Sequence, residues 1–285
     1  MSPWSYQSPQ ELSDEQYARW QVLLEERTGI CFLQHKSILQ KGLSLRMREV
    51  AVEDYEQYFQ QVSSEPSGAV EWAQLVDRVS IKETSFFREP LSFNAVHDYL
   101  FDQLENYGKP SGYSLDIWSV GCSTGEEPYS LAMLVSDIVE GLAAKIYVGV
   151  LATDISPSAL AMARRAFYTK RKVDALPKNL KQRYFVDRGD QGYGVDPELR
   201  QRLCFVQGNL LDLEKIPRMA MDVIFCQNVL VYFRRDRQWA VLDNLVEHLK
   251  PGGLLVVGPG EVSGWKHSTM RRAGDEKVQT YVRRL

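Results

Sequence analysis

Up to about residue 80 the apolar positions recur at helical spacing. Ser13-Asp14-Glu15-Gln16 reads as an N-cap followed by helix formers, ahead of Tyr17, Trp20, Val22, Leu23 and Leu24. Thr28-Gly29 interrupts. A second helix is predicted near residues 36–50, with Ile38, Leu39, Leu43, Leu45 and Met47, and a third over 54–62. Residues 63–68 form a turn by composition, and a fourth helix runs to about Val79. This is a small helical bundle without strand patterning. From about Ser114 the period changes. Short apolar runs at 115–120, 146–153, 203–207, 223–226 and 254–257 alternate with helical stretches at 129–139, 158–166 and 238–249. Strands spaced by helices imply βαβ units and a mainly parallel, doubly wound sheet. Pro251-Gly252-Gly253 closes the last helix and opens the next strand. Residues 278–283, with Val278, Tyr281 and Val282 apolar and Arg283 basic, read as an edge strand.

Between Phe167 and Leu203 the alternation fails. Leu176-Pro177, Tyr184-Phe185 and the glycine-rich stretch from Arg188 to Gly194 read as an insertion with a hairpin-like turn. The expected organisation is an all-α domain over 1–82 and an α/β domain over 83–285, the latter with a small β-subdomain inserted at about 168–203. A chain of 285 residues is long enough for both.

Composition narrows the class of protein. No apolar run approaches the roughly 20 residues needed to cross a bilayer. The start, Met1 to Glu11, is polar, holds Pro3 and Pro9, and lacks the blocks of a signal peptide. Cys31, Cys122, Cys204 and Cys226 are scattered, as are His35, His97, His248 and His267. Neither disulfides nor a metal site is expected, and a reducing cytoplasm is the expected location. The net charge of -3 argues against a dedicated nucleic-acid binder.

In open α/β sheets ligands bind beyond the carboxyl ends of the strands. The first predicted strand ends at Val120 and runs into Gly121-Cys122-Ser123-Thr124-Gly125-Glu126-Glu127-Pro128. Two glycines bracket a tight turn before a helix, but the pattern is not GxGxxG. Glu126 and Glu127 at that helix start would repel a pyrophosphate and attract a cation. The sulfonium and amino groups of S-adenosylmethionine suit this loop better than a nicotinamide dinucleotide does. Asp154, at the end of the second strand, is placed to accept hydrogen bonds from both ribose hydroxyls of an adenosine; alone it could equally be a helix cap. Asn209 and Asn228 follow the third and fourth strands. Each could read an adenine edge or hold the methionine moiety, or be a turn residue that tolerates a left-handed backbone.

These residues, with Thr84-Ser85-Phe86-Phe87-Arg88-Glu89, Ala152-Thr153-Asp154-Ile155, Asn209-Leu210-Leu211 and Phe225-Cys226-Gln227-Asn228-Val229-Leu230-Val231-Tyr232-Phe233 in that order, resemble the CheR family of chemoreceptor methyltransferases. The resemblance spans about residues 20 to 260. It implies a class I, Rossmann-like methyltransferase domain behind an all-α domain, with an inserted β-subdomain. It implies methyl transfer from S-adenosylmethionine to receptor glutamates, leaving S-adenosylhomocysteine. Carried over, the cofactor contacts would be Lys82, Thr84, Arg88, Glu127, Asp154, Asn209, Leu210, Asn228 and Val229, with Arg88 and Tyr232 nearest the transferred methyl. Three departures stand out. Lys82 occupies a position where the family commonly has asparagine. Gly258-Pro259-Gly260-Glu261 replaces the usual Gly-His-Ser-Glu. The turn at 189–194 is shorter than in members that dock on a receptor's C-terminal pentapeptide, which argues against tail-tethering.

A glutamate acceptor is already ionised near neutral pH and needs no general base, in keeping with the absence of a Ser/His/Asp or Cys/His constellation. Arg88 could present its guanidinium fork to the acceptor carboxylate, and Tyr232 could line the methyl channel. Plainer roles are a surface pair of Arg88 with Glu89 and a core packing role for Tyr232. Cys122 and Cys226 read as small strand-end residues. Residues 27–48 hold Arg27, Lys36, Lys41, Arg46 and Arg48 and no acid, a basic face suited to the acidic helices of a chemoreceptor. Arg164, Arg165, Lys170, Arg171 and Lys172 form a second basic cluster. The expected form is a monomer without membrane insertion. Three rival readings remain. A nucleic-acid methyltransferase would commonly carry Asn/Asp-Pro-Pro-aromatic where this chain has Asn228-Val229-Leu230. An inactive cofactor-binding regulator has only Lys82 in its favour, and an oxidoreductase has the wrong glycine pattern.

Overall fold

The structure is a computed structural model that describes residues 11–32, 36–64, 66–106 and 109–285. The polar start with Pro3 and Pro9, His35 of the basic stretch and Glu65 of the first predicted turn lie outside the described residues. The chain divides into two compact units at Ile81/Lys82.

The first unit holds α1 (Asp14–Thr28), α2 (Lys36–Glu49), α3 (Tyr55–Ser63) and α4 (Ala69–Val79). Ser13 starts α1 through a capping box: its hydroxyl accepts the Gln16 N–H while the Gln16 side chain accepts the Ser13 N–H. Trp20, Leu24, Leu39, Leu43, Tyr58 and Leu75 form the core. Gly42 lets α2 approach α4, since a Cβ there would lie 2.6 Å from Val79 Cγ1.

The basic face read over 27–48 is largely committed inside this unit. Arg46 donates from Nε to Glu71 Oε1 at 2.8 Å and from Nη2 to Glu71 Oε2 at 2.6 Å, and Tyr58 donates to the same carboxylate at 2.7 Å. Glu71 is buried, so its charge needs Arg46. Lys36 pairs with Asp14, and Arg27 lies over the Trp72 ring. Arg46 is therefore committed to Glu71 within the unit. On α2, Lys41, Leu45 and Arg48 are exposed, at the i, i+4, i+7 spacing of one helical stripe.

The second unit opens with α5 (Pro90–Phe101), continued by a π turn over Asp102–Asn106. The sequence pattern left this helix unread; Pro90 begins it, and Phe93, Val96 and Leu100 bury one side. There follow β1 (Tyr113–Val120), α6 (Glu126–Glu140), β2 (Ile146–Asp154) and α7 (Pro157–Arg165). The insertion comprises β3 (Phe167–Tyr168), α8 (Lys170–Val173), α9 (Lys178–Tyr184), β4 (Phe185–Asp187), β5 (Tyr193–Val195) and α10 (Pro197–Arg200). The chain then continues through β6 (Leu203–Gln207), β7 (Met221–Cys226), α11 (Arg235–Glu247), β8 (Leu249–Val257), β9 (Met270–Ala273) and β10 (Gln279–Arg283).

The main sheet has seven strands in the order β6-β2-β1-β7-β8-β10-β9. The first five are parallel, and β10 and β9 add antiparallel. Val223, Ile224, Phe225 and Cys226 of β7 are wholly buried, as expected of a strand covered on both faces. The doubly wound, class I α/β architecture expected from the alternation is present. The edge-strand reading of 278–283 is corrected: β10 pairs with both β8 and β9, and β9 forms that edge. Thr280 and Val282 are buried, and the Arg283 guanidinium donates to the carbonyls of Val246 and Leu249. The basic residue thus caps backbone groups beneath α11, and β9, written Met-Arg-Arg-Ala, carries no alternation to reveal it.

The insertion forms a three-stranded antiparallel sheet, β3-β5-β4. Its hairpin closes with the Arg188 N–H donating to the Gly192 carbonyl at 2.9 Å. Gly192 has φ of 121°, and a Cβ there would stand 2.4 Å from the Tyr168 carbonyl oxygen.

Candidate functional site

The chain winds outward from β1 to β2 and β6, then returns past them to β7, so the strand order reverses between β1 and β7. Register aligns the carboxyl ends. Val120 lies beside Thr153 and Cys226, Asp154 beside Gln207, and Cys226 beside Val257. Gly121, Asp154, Asn209, Asn228 and Gly258 therefore leave the sheet along one row, where open α/β sheets bind their ligands.

The loop after β1 needs its glycines. Gly121 has φ of 71°, and a Cβ on it would come 2.3 Å from Val229 Cγ2. Ser123 takes φ of 49° although it bears a side chain. Asp154 holds it there: one carboxylate oxygen accepts the Ser123 N–H at 2.8 Å and the other accepts the Ser156 N–H at 2.8 Å. Burial raises the Asp154 carboxyl above its ordinary range, against these hydrogen bonds and the charge of Lys82. Lys82 donates from Nζ to Ser158 Oγ at 2.8 Å. The lysine thus points along the start of α7, where its charge favours ionised Asp154.

The two acids after Gly125 do not act alike. Glu126 is fully buried, accepts the Thr124 hydroxyl at 2.6 Å and pairs with Lys172 of α8. Its charge is neutralised inside the unit, which corrects the reading of Glu126 as a lure for a cationic ligand. Glu127 accepts the Ser119 hydroxyl at 2.7 Å. Burial pushes its carboxyl up to about 8, and Glu261 and Asp154 push the same way while Arg88 opposes.

The segment before α5 is held by its aromatics. Phe86 packs edge-on against Tyr168 and Phe185, and the Phe87 N–H donates to Ser130 Oγ on α6 at 3.0 Å. This anchors on α6 the segment that carries Thr84 and Arg88. Arg88 is exposed, donates from Nη1 to the Glu83 carbonyl at 3.0 Å, and its charge acts on both Glu127 and Tyr232. Tyr232 ends a 3-10 turn, Leu230–Tyr232, and packs on the core formed with Trp118, Val120 and Phe233. Burial raises its phenol. Arg88 is thus coupled electrostatically to Glu127 and Tyr232, and Asp154 and Lys82 form a second group with the Ser123 loop.

The asparagines differ. Asn209 caps the turn that begins at Leu210, its side chain accepting the Leu211 N–H at 3.1 Å. Asn228 adopts φ of 59°, the left-handed conformation this residue type tolerates. It is followed by Val229, which fills the space that Gly121 leaves open. Two neighbours carry little trace in the sequence. Gln227 is buried and donates to Ser92 Oγ at 2.6 Å and to the Val257 carbonyl at 3.3 Å, tying β7 to α5 and β8. Glu261, after β8, accepts the Gly258 N–H at 3.1 Å, and its charge raises the Glu127 carboxyl. Burial pushes the Cys122 and Cys226 thiols up, away from the reactive thiolate.

Residues 82–277 match the CheR methyltransferase SAM-binding domain, and residues 15–80 match the CheR methyltransferase all-alpha domain. The chain is 30% identical over 252 residues to chemotaxis protein methyltransferase 2 of Vibrio cholerae, covering 88% of this chain and 86% of that one. It is 33% identical to the chemotaxis protein methyltransferase of Klebsiella aerogenes, covering 88% and 84%. A probable biofilm formation methyltransferase, WspC of Pseudomonas putida, is 35% identical, over 84% of this chain and 55% of that protein. The residues present fit S-adenosylmethionine, because a glycine turn with no room for a Cβ and two carboxylates on the strand-end row suit a positively charged nucleoside. The chain belongs to the CheR methyltransferase family and is an S-adenosylmethionine-dependent methyltransferase.

Proposed function

We propose that this enzyme methylates glutamate side-chain carboxylates on the cytoplasmic helices of a methyl-accepting chemoreceptor, acting as a cytoplasmic monomer. The charge of exposed Arg88, which acts on both Glu127 and Tyr232, carries this reading, supported by relatives named as chemotaxis protein methyltransferases. S-adenosylmethionine supplies an electrophilic methyl on a sulfonium. Asp154 would hold its ribose hydroxyls, Asn209 and Leu210 its adenine, and Lys82, Thr84, Glu127, Asn228 and Val229 the rest.

The acceptor glutamate is ionised at neutral pH, so the protein needs no base to activate it. What it must supply is alignment and removal of water from a well-solvated nucleophile. Arg88 lies exposed, with its guanidinium fork able to hold one edge of an incoming carboxylate. Tyr232 donates its raised, protonated phenol to the acceptor or walls the approach. Receptor docking is assigned to the exposed stripe Lys41, Leu45 and Arg48 of α2, where two cations flank an apolar contact.

Peptide mapping of receptor-containing membranes incubated with the enzyme and S-adenosylmethionine tests the acceptor. Methyl groups on glutamates of receptor cytoplasmic helices are expected. Methyl on lysine or on nucleic acid would contradict the assignment.

A further inference from the structure

The turn between β1 and α6 is held from two sides. Asp154 holds it at Ser123. The other hold comes from the insertion. The buried Tyr168 phenol of β3 donates to the Thr124 carbonyl at 2.9 Å. Lys172 of α8 pairs with buried Glu126, whose carboxylate also accepts the Thr124 hydroxyl at 2.6 Å. Gly125 lies between these contacts with φ of 96°, and a Cβ on it would stand 2.8 Å from Ala163 Cβ and 2.9 Å from Tyr168 Oη. Phe86 packs edge-on against Tyr168, with ring centroids 4.9 Å apart. The Glu126 carbonyl accepts the Ser130 hydroxyl at 2.7 Å, and Ser130 Oγ accepts the Phe87 N–H. Packing and hydrogen bonds thus run unbroken from the insertion through the turn to the segment ahead of α5.

The turn needs this outside support. Ser123 takes a left-handed backbone although it bears a side chain, and its Oγ is buried without a hydrogen-bond partner among the described residues. A non-glycine residue persists in that conformation only where its surroundings hold it. We infer that Tyr168 and Lys172 of the insertion are positioning residues for the cofactor: they fix Thr124 and Glu126, and through them the Gly121–Gly125 turn of the cofactor site. The inference rests on the cofactor reading given above. Neither side chain has to touch the cofactor. Lys172 acts through Glu126, because removing the ammonium leaves a buried carboxylate without its counter-ion, and a shift of that carboxylate takes the Thr124 hydroxyl with it. Tyr168 acts through the Thr124 carbonyl, which would lose its donor. The turn serves the whole nucleoside and not the sulfonium alone, so S-adenosylmethionine and S-adenosylhomocysteine depend on it alike.

Calorimetric titration of the full chain with both ligands, well below its melting temperature, tests this. Lys172→Met should weaken both by about tenfold or more, and to the same extent. Tyr168→Phe keeps the ring against Phe86 and should weaken both by about threefold to tenfold, the effect of one hydrogen bond. Glu126→Gln combined with Lys172→Met removes both charges and leaves an oxygen for the Thr124 hydroxyl. It should bring both affinities back to within about threefold of wild type, a recovery that a plain packing role for Lys172 would not give. A lowered melting temperature with unchanged affinities in Lys172→Met and Tyr168→Phe would overturn the inference. So would weakening of S-adenosylmethionine alone, or no recovery in the double variant. Should Lys172→Met fail to fold, Tyr168→Phe and the double variant decide. A wild-type protein that binds neither ligand would instead overturn the cofactor reading itself.

Discussion

Asp154 does two jobs with one carboxylate. It holds Ser123 in a left-handed conformation through a backbone N–H, and it carries a charge at the ligand end of β2. Asp154→Asn keeps the size and loses the charge; cofactor affinity should fall tenfold or more, since a charged hydrogen bond contributes about 1.5–3 kcal/mol. Calorimetry with S-adenosylhomocysteine checks this. Glu127 makes a prediction about pH. An ordinary glutamate titrates near 4.5, and burial pushes the Glu127 carboxyl up to about 8. Between those values the folded protein keeps a proton that the unfolded chain has lost. Stability of the cofactor-free protein should therefore fall as pH rises through that window and level off above about 8. Thermal unfolding from about pH 5 to about pH 9 should show this decline, and Glu127→Gln should flatten it. At this scale the strand-end place of Asp154, the left-handed turn at Asn228 and the glycine turn were legible, because strand ends and turn residues have few possible conformations. The split between Glu126 and Glu127 was not, because adjacent helix positions face about 100° apart and only the fold shows which one meets Lys172.

Among the elements, α2 shows how local charge misleads. Five basic residues without an acid read as one face, yet Arg46 closes a buried pair with Glu71, which lies on α4 and is distant in sequence. Arg46→Ala should destabilise the helical unit by about 3–5 kcal/mol, because it strands a buried carboxylate. Lys41→Glu with Arg48→Glu should leave stability within about 0.5 kcal/mol per site, while receptor methylation falls and cofactor binding holds. Chemical denaturation and receptor turnover measure the two separately. Unchanged turnover in the double variant would remove α2 as the docking element. The parallel strands were legible because burial on both faces leaves near-continuous apolar runs. The place of β10 was not, since an antiparallel strand capping carbonyls with Arg283 has the same alternation as an exposed edge.

For the whole molecule, periodicity distinguished a helical segment from an α/β segment. The motif order then pointed to one family, to which the chain does belong. What periodicity lacked was long-range pairing: Gln227 with Ser92, and Lys82 with Ser158, join residues far apart in the chain. S-adenosylhomocysteine at about 100 times its dissociation constant should stabilise the folded protein by about 2.7 kcal/mol, visible as a raised melting temperature. Carboxyl methylation of a chemoreceptor is tested most directly by incubating the enzyme with radiolabelled S-adenosylmethionine and receptor-containing membranes, then counting volatile methanol released by mild base. Base-labile counts that disappear in Arg88→Ala and Asp154→Ala are the predicted result. Base-stable counts, or none, would contradict it.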